Sequence, residues 1–233
     1  MRHCYLFHLP QAKIIQMHIS EKERDAVYKT IFSRRDVRSD FINKPIPEDV
    51  LKRVLTAAHH APSVGFMQPW DFIVINDKET KQKIKYGFEQ ANSVSEKMFT
   101  DDKQQSYQKL KLEGILEAPI GICVTCDRER NGPVVLGKTI KAEMDLYSAV
   151  CAVQNLWLAA RAENLGVGWV SIIEDDMLRD ALNIPTKIEI IAYLCVGYVT
   201  HFKDKPELES AGWLPRRSVD NAIHYNKWTP EVN

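Results

Sequence analysis

The sequence predicts one domain in which strands and helices share a core, of α/β or α+β class. Three observations carry this. Short apolar runs at 70–75, 119–126, 166–173 and 188–199 read as strands, and segments of helical periodicity separate them. No internal repeat and no Gly/Ser-rich linker divides the 233 residues. Hydrophobic residues make up 45% of the chain, enough to fill one real core. Residues 21–233 are therefore read as a single domain and residues 1–20 as a poorly ordered extension. Its apolar stretch is short, broken by Pro10, Gln11 and Lys13, and no small-residue cleavage site follows.

Glu21 to Ser33 reads as a helix with Val27 and Ile31 on one face. It delivers Arg34-Arg35-Asp36-Val37-Arg38 at its C-terminal end. Arg forks well onto phosphate or carboxylate, although a block of charge is often a solvated turn. Pro47-Glu48-Asp49 opens a second helix, with proline and acids in its first turn. Val50, Leu51, Val54, Leu55 and Ala58 form its apolar stripe, and Pro62 ends it. Ala61 to Pro69 is a rigid loop, with two prolines, Ser63 and Gly65, that exposes backbone N–H groups and leads into the strand 70–75. Residues 77–111 are polar and weakly amphipathic, a surface excursion or mobile lid anchored by Tyr86, Phe88, Met98, Phe99 and Tyr107. Met98 and Phe99 face either a ligand or the core, with the core favoured.

After the strand 119–126 comes the turn Asn131-Gly132-Pro133. Ala142 to Asn164 is apolar nearly all round, which places it at the domain centre or a subunit interface. Gly166 caps it. The strand 166–173, a short helix over 174–182 and the strand 188–199 follow, and the tail returns Arg216 and Arg217.

Lys+Arg and Asp+Glu are both 31, so the net charge is zero. That argues against nucleic acid or membrane as partners, which need a strongly basic face, and leaves room for a local anion site. Nothing approaches the roughly 20 apolar residues of a membrane span. Five scattered cysteines (Cys4, Cys123, Cys126, Cys151, Cys195) suit buried, reduced thiols and a cytoplasmic protein. Cys123 and Cys126 have metal-site spacing. On a strand, however, residues three apart point to opposite faces, so structural thiols and no metal are expected.

Arg34 to Arg38, then Ala61-Pro62-Ser63 with Gln68-Pro69-Trp70, then Gly166-Val167-Gly168-Trp169 resemble, in that order, the nitroreductase-like flavoprotein superfamily. Several variants point to one branch of it: Asp36 where many members have Ser, the loop Ser63-Val64-Gly65-Phe66-Met67-Gln68 where many have Asn before Gln-Pro-Trp, Ser171 after the glycine strand, and Gly212-Trp213 before the terminal arginines. That branch consumes reduced FMN as substrate. With O2 it yields 5,6-dimethylbenzimidazole, the lower ligand of vitamin B12, and erythrose 4-phosphate. The resemblance runs from about Arg34 to Trp228. It implies an α+β fold with a central mixed, mainly antiparallel sheet flanked by helices. It also implies an intertwined homodimer with flavin sites at the interface, and a separate NAD(P)H-flavin reductase that supplies reduced FMN. An NAD(P)H-dependent nitroreductase or an iodotyrosine-deiodinase-like dehalogenase is the alternative.

The resemblance assigns roles residue by residue. Arg34 and Arg38, with Arg216 or Arg217, hold the phosphate, and Arg35 reaches the pyrimidine or ribityl side. Asp36 is the ribityl acid or base, or an ion-pair partner of the arginines. Gly65 offers its N–H where reduced flavin meets O2, and Ser171 donates near N5. Pro62 and Ser63 reach the flavin from the partner chain, unless Ser63 is only a turn residue. Val64, Gln68, Met98, Trp169 and Val170 complete the FMN-contacting set.

Overall fold

The computed structural model describes residues 18–229, so the expected extension lies outside it as far as residue 17. Ser20 belongs to the first helix, α1 (Glu21–Ser33), as its N-cap. Glu23 N–H donates to Ser20 Oγ at 3.4 Å and Ser20 N–H donates back to Glu23 Oε2 at 2.8 Å, a reciprocal capping box. α1 buries no residue, and Val27, Tyr28 and Phe32 are 53%, 51% and 71% exposed. The apolar face written into this helix finds no cover among the described residues.

Strands β1 (Trp70–Ile75), β2 (Ile120–Asp127), β3 (Leu165–Val170) and β4 (Ile188–Tyr198) form one sheet in the order β1-β2-β4-β3, every pair antiparallel. A parallel component enters only as an isolated bridge between Asp36 and Val167. β3 stops at Val170, so Ser171 to Ile173 of the expected strand lie beyond the sheet. Helices α2 (Glu48–His59) and α5 (Met144–Ala162) cover one face; α3 (Lys78–Glu96) and α6 (Asp175–Leu182) cover the other. α4 (Asp101–Gln108) follows α3 as an outlying helix, and α7 (Glu207–Ser210) is one turn in the tail.

The alternation of side chains along β2 splits the core into two layers. Ile122, Val124 and Cys126 face α2 and α5, whereas Cys123 joins Tyr193 and Cys195 under α3 and α6. Cys123 and Cys126 thus lie on opposite faces, and burial pushes both thiols, with that of Cys195, up to about 12. Cys151 departs from expectation. It stands on the outer face of α5, in an exposed stripe with Tyr147 and Val150, because only the other side of that helix packs on the sheet.

Asp145, fully buried in α5, is the core's main polar anchor. Arg128 Nε at 3.2 Å, Lys138 Nζ and the Leu146 N–H at 2.8 Å donate to it. Burial pushes its pKa up, but these donors outweigh burial and hold it below the ordinary 3.8. A depressed carboxylate stabilises the fold above its unfolded pKa, and that stability is lost as pH falls through the folded pKa. Asp145→Asn is expected to lower stability by about 3 kcal/mol at pH 7, since it leaves two half-buried cations uncompensated against a fully buried position. The gap to wild type should narrow below the ordinary 3.8. Urea unfolding at pH 7 and at acid pH measures both; a gap independent of pH would rule out the linkage.

Candidate active site

The segment after α1 is drawn against the free edge of β3. Val37 N–H donates to Val167 O at 2.9 Å, beside the Asp36–Val167 bridge. Glycine makes this approach possible: a Cβ on Gly168 would lie 2.0 Å from Val37 O. The Asp36 carboxylate is then fixed at both oxygens. Oδ1 accepts the Trp169 backbone N–H at 3.1 Å and Oδ2 accepts Arg38 Nη2 at 2.7 Å. The Asp36 side chain keeps 32% of its surface exposed, against 14% for Arg38.

Around this carboxylate sits an excess of cations. Arg34 lies over the Trp157 ring at 4.8 Å, and Trp157 Nε1 donates to Arg35 O at 3.1 Å. Burial pushes the Arg34 guanidinium down; Asp36 opposes this, while Arg35 and Arg216 push it further down. Arg216, 182 positions along the chain, is thus within electrostatic reach of Arg34. Arg217 donates to Asn221 O at 2.5 Å. Arg35 differs from expectation. Its guanidinium is engaged by the carbonyls of Lys203 (2.8 Å), Phe32 (2.8 Å), Arg34 (2.7 Å) and Asp204, a backbone clamp rather than a hand extended to a ligand. Arg38, expected at the phosphate, is turned onto Asp36.

A dianionic phosphate fits this cluster. Like charges held together in a half-buried site lose part of their repulsion when an anion enters. Three buried side-chain polar atoms lack a hydrogen-bond partner among the described residues, and two of them, Ser33 Oγ and Arg38 Nε, flank the segment.

The loop 62–68 is held as a separate piece. Gly65, Phe66 and Gln68 all have positive φ, at 52°, 52° and 48°. Such backbone persists only where its surroundings over-determine it. Ser63 Oγ accepts the Gln68 N–H at 3.0 Å, as a turn residue would, and Val64 N–H donates to Ser148 Oγ at 3.0 Å. Arg130 Nη1 donates to Gln68 O and Trp70 O at 2.8 and 3.0 Å. Val135 Cγ1 and Leu136 O would be 2.6 and 2.8 Å from a Cβ on Gly65. No acceptor among the described residues takes the Gly65 N–H. Pro62, Gly65 and Phe66 are exposed, so this strained edge faces outward.

Of the remaining candidates, Trp169 is half-buried against Trp157 at 6.4 Å, Val170 is buried, and Ser171 is exposed just beyond β3. Met98 is 74% exposed between α3 and α4, which overturns its expected place in the core. The sequence reading gave no site role to Arg130, Trp157 or Gly168, although Gly168 stands in the Gly166-Val167-Gly168-Trp169 motif. The glycine pair at 166 and 168 was a usable signal for the last of these; no local pattern marks the other two.

Within one chain the two groups stay apart. The loop contacts α5 at Ser148, while the Asp36 segment contacts it at Trp157 and Arg161. The nine helical steps from Ser148 to Trp157 span about 14 Å.

The Nitroreductase family model matches residues 31–198. A 5,6-dimethylbenzimidazole synthase of Rhodospirillum rubrum is 40% identical over 194 residues, covering 83% of this chain and 92% of that protein. One from Rhodobacter capsulatus is 34% identical, over 84% of this chain and 95% of its own length. Among solved structures, oxidized iodotyrosine deiodinase bound to FMN and 3-iodo-L-tyrosine superposes with a TM-score of 0.69 at 22% identity. It covers 87% of this chain and 100% of that chain.

Proposed function

The chain belongs to the nitroreductase family, and we propose that within it the protein is a 5,6-dimethylbenzimidazole synthase that fragments reduced FMN with O2, releasing erythrose 4-phosphate. The observation that carries this is the 40% identity to such a synthase across 92% of its length. The clamped carboxylate inside a basic cluster supports it.

Reduced FMN, as substrate, supplies both the ring that reacts with O2 and the ribityl chain that is cut. The protein's residues do the rest. Arg34 and Arg216 receive the phosphate, whose charge relieves their mutual repulsion. Asp36, held between Arg38 and the Trp169 N–H, takes a proton from a ribityl hydroxyl and returns it to the departing fragment. Gly65 presents its N–H, and Ser171 its hydroxyl, as hydrogen-bond donors to the ring.

The separation of loop and carboxylate along α5 supports a homodimer. A second copy packed on the exposed Tyr147, Val150 and Cys151 stripe supplies the loop that one chain holds away from its own Asp36. The unburied α1 gives that copy a further apolar face to cover. A separate NAD(P)H-flavin reductase supplies the reduced flavin. No described helix is long and apolar enough to cross a membrane. We place the reaction in the cytoplasm, in keeping with the buried, unbridged Cys123, Cys126 and Cys195.

The test gives purified protein FMN, an external flavin reductase with NADH, and air. Mass spectrometry is expected to show 5,6-dimethylbenzimidazole rising as FMN disappears. If FMN survives and the protein alone oxidises the nicotinamide, the protein is a reductase of the nitroreductase kind and the reading fails.

A further inference from the structure

The polar excursion after α3 and the C-terminal tail meet at one side chain, Trp213. Phe99, on the α3–α4 connection, meets the Trp213 ring edge-on at 5.4 Å and stacks on Tyr107 at 5.0 Å. Lys103 Nζ lies 4.5 Å from the centre of the Trp213 ring and donates to the Trp213 carbonyl at 3.3 Å. The tail thus holds the excursion through both a ring and a backbone group. The other anchors of α4 run back to α3: Tyr107, its one buried residue, donates its hydroxyl to Asn92 Oδ1 at 2.7 Å, and Gln108 Nε2 and Gln104 Nε2 donate to Glu96 Oε1 at 2.7 Å and Glu96 O at 3.5 Å.

The other end of this stretch of tail is Arg216. It follows Trp213 by three residues, about 10 Å of extended chain at most. An anion shared by Arg34 and Arg216 fixes the tail at Arg216, and a fixed tail presents Trp213 to Phe99 and Lys103 in one position. Edge-on ring contacts and cation–π contacts of this kind are together worth about tenfold in an equilibrium, enough to shift a lightly anchored helix between seated and open.

We propose that Trp213 is a positioning residue that couples capture of the flavin phosphate to the seating of the α4 excursion, so that the excursion closes over FMN and not over riboflavin. The proposal rests on the flavin reading for its ligand and adds what that reading lacks, a reason for the excursion to respond to the phosphate. Coupling is reciprocal, so a seated excursion must strengthen the grip on phosphate by the same factor.

Limited trypsinolysis of the whole protein at the exposed Lys97, Lys103 and Lys109 tests this with oxidised flavins and no turnover. FMN is expected to slow cleavage by about tenfold and saturating riboflavin by less than about twofold, since cleavage follows the open population. In Trp213→Ala, FMN loses its protective effect, and the preference for FMN over riboflavin falls by a similar factor. Trp213→Phe, which keeps an aromatic edge, retains most of both. Lys103→Ala, which leaves the tail intact, loses part of the protection and guards against a misfolded Trp213→Ala. Equal protection by riboflavin and FMN overturns the coupling, as does full protection by FMN in Trp213→Ala. Absence of binding by either flavin overturns the flavin reading and the coupling with it. Normal flavin binding without benzimidazole formation leaves the coupling standing and sinks only the proposed reaction.

Discussion

Asp36→Asn binds FMN and makes almost no benzimidazole. The substitution preserves shape. The amide oxygen still accepts the Trp169 N–H, so the segment stays paired to β3. What changes is the other side. The amide NH2 now faces Arg38 Nη2, donor against donor, where a carboxylate oxygen accepted at 2.7 Å. The residue also loses its capacity to take a proton. General acid–base catalysis by a positioned side chain contributes about 10²–10⁴-fold, and the product yield per flavin oxidised should fall by that order. Flavin affinity should hold or rise, because removing an anion beside Arg34 strengthens its pull on phosphate. Product is read by mass spectrometry and affinity by quenching of flavin fluorescence. Release of the flavin by this variant would show Asp36 to be structural, and the role given to it here would be wrong.

Gly168→Ala carries a large expected effect on both stability and product formation. Its Cβ would be placed 2.0 Å from Val37 O and 3.1 Å from Val37 C, both backbone atoms with no side-chain freedom to yield. Either β3 or the Asp36 segment must move away. Moving the segment breaks the Val37–Val167 hydrogen bond and the Trp169 contact to Asp36 together. Overpacking and a lost buried hydrogen bond sum to about 2–4 kcal/mol. Chemical denaturation gives this directly as a lowered midpoint. A second signature separates it from ordinary destabilisation: molecules that remain folded also lose product formation, because Asp36 is no longer held in place. A loss below about 1 kcal/mol would show that the segment is not pinned by this contact.

β1 and β2 were legible because each is a short, strongly apolar run that opens directly after a proline, Pro69 and Pro119, and both fall within a residue of their expected limits. The arginine cluster and the glycine strand were legible as pieces, and the structure joins them through Gly168. Individual side-chain assignments were less legible. Arg35 meets carbonyls at Lys203 and Asp204, 168 and 169 positions away, and no local pattern announces such a partner. Cys151 looked buried because its neighbours are apolar, and Met98 because it stands beside Phe99 as an apolar anchor in a polar stretch. Burial depends on what packs against a helix, and among the described residues nothing lies upon the outward sides of these segments. The separation of the loop 62–68 from the Asp36 segment along α5 is a property of topology alone. The same holds for Trp213, whose contact with Phe99 joins segments 114 positions apart.

The clamp on Asp36 bears on when the site is ordered. Its two oxygens are fixed by a backbone N–H of β3 and by Arg38, both contacts of the protein with itself. Folding, not flavin, therefore sets the aim of the carboxylate, and little solvent or side-chain reorganisation is left for the moment of reaction. The corollary is rigidity of purpose. For the base proposed at Asp36, being tied down at both oxygens leaves a narrow choice of hydroxyls, which suits an enzyme whose substrate never varies and disfavours one that must accept many.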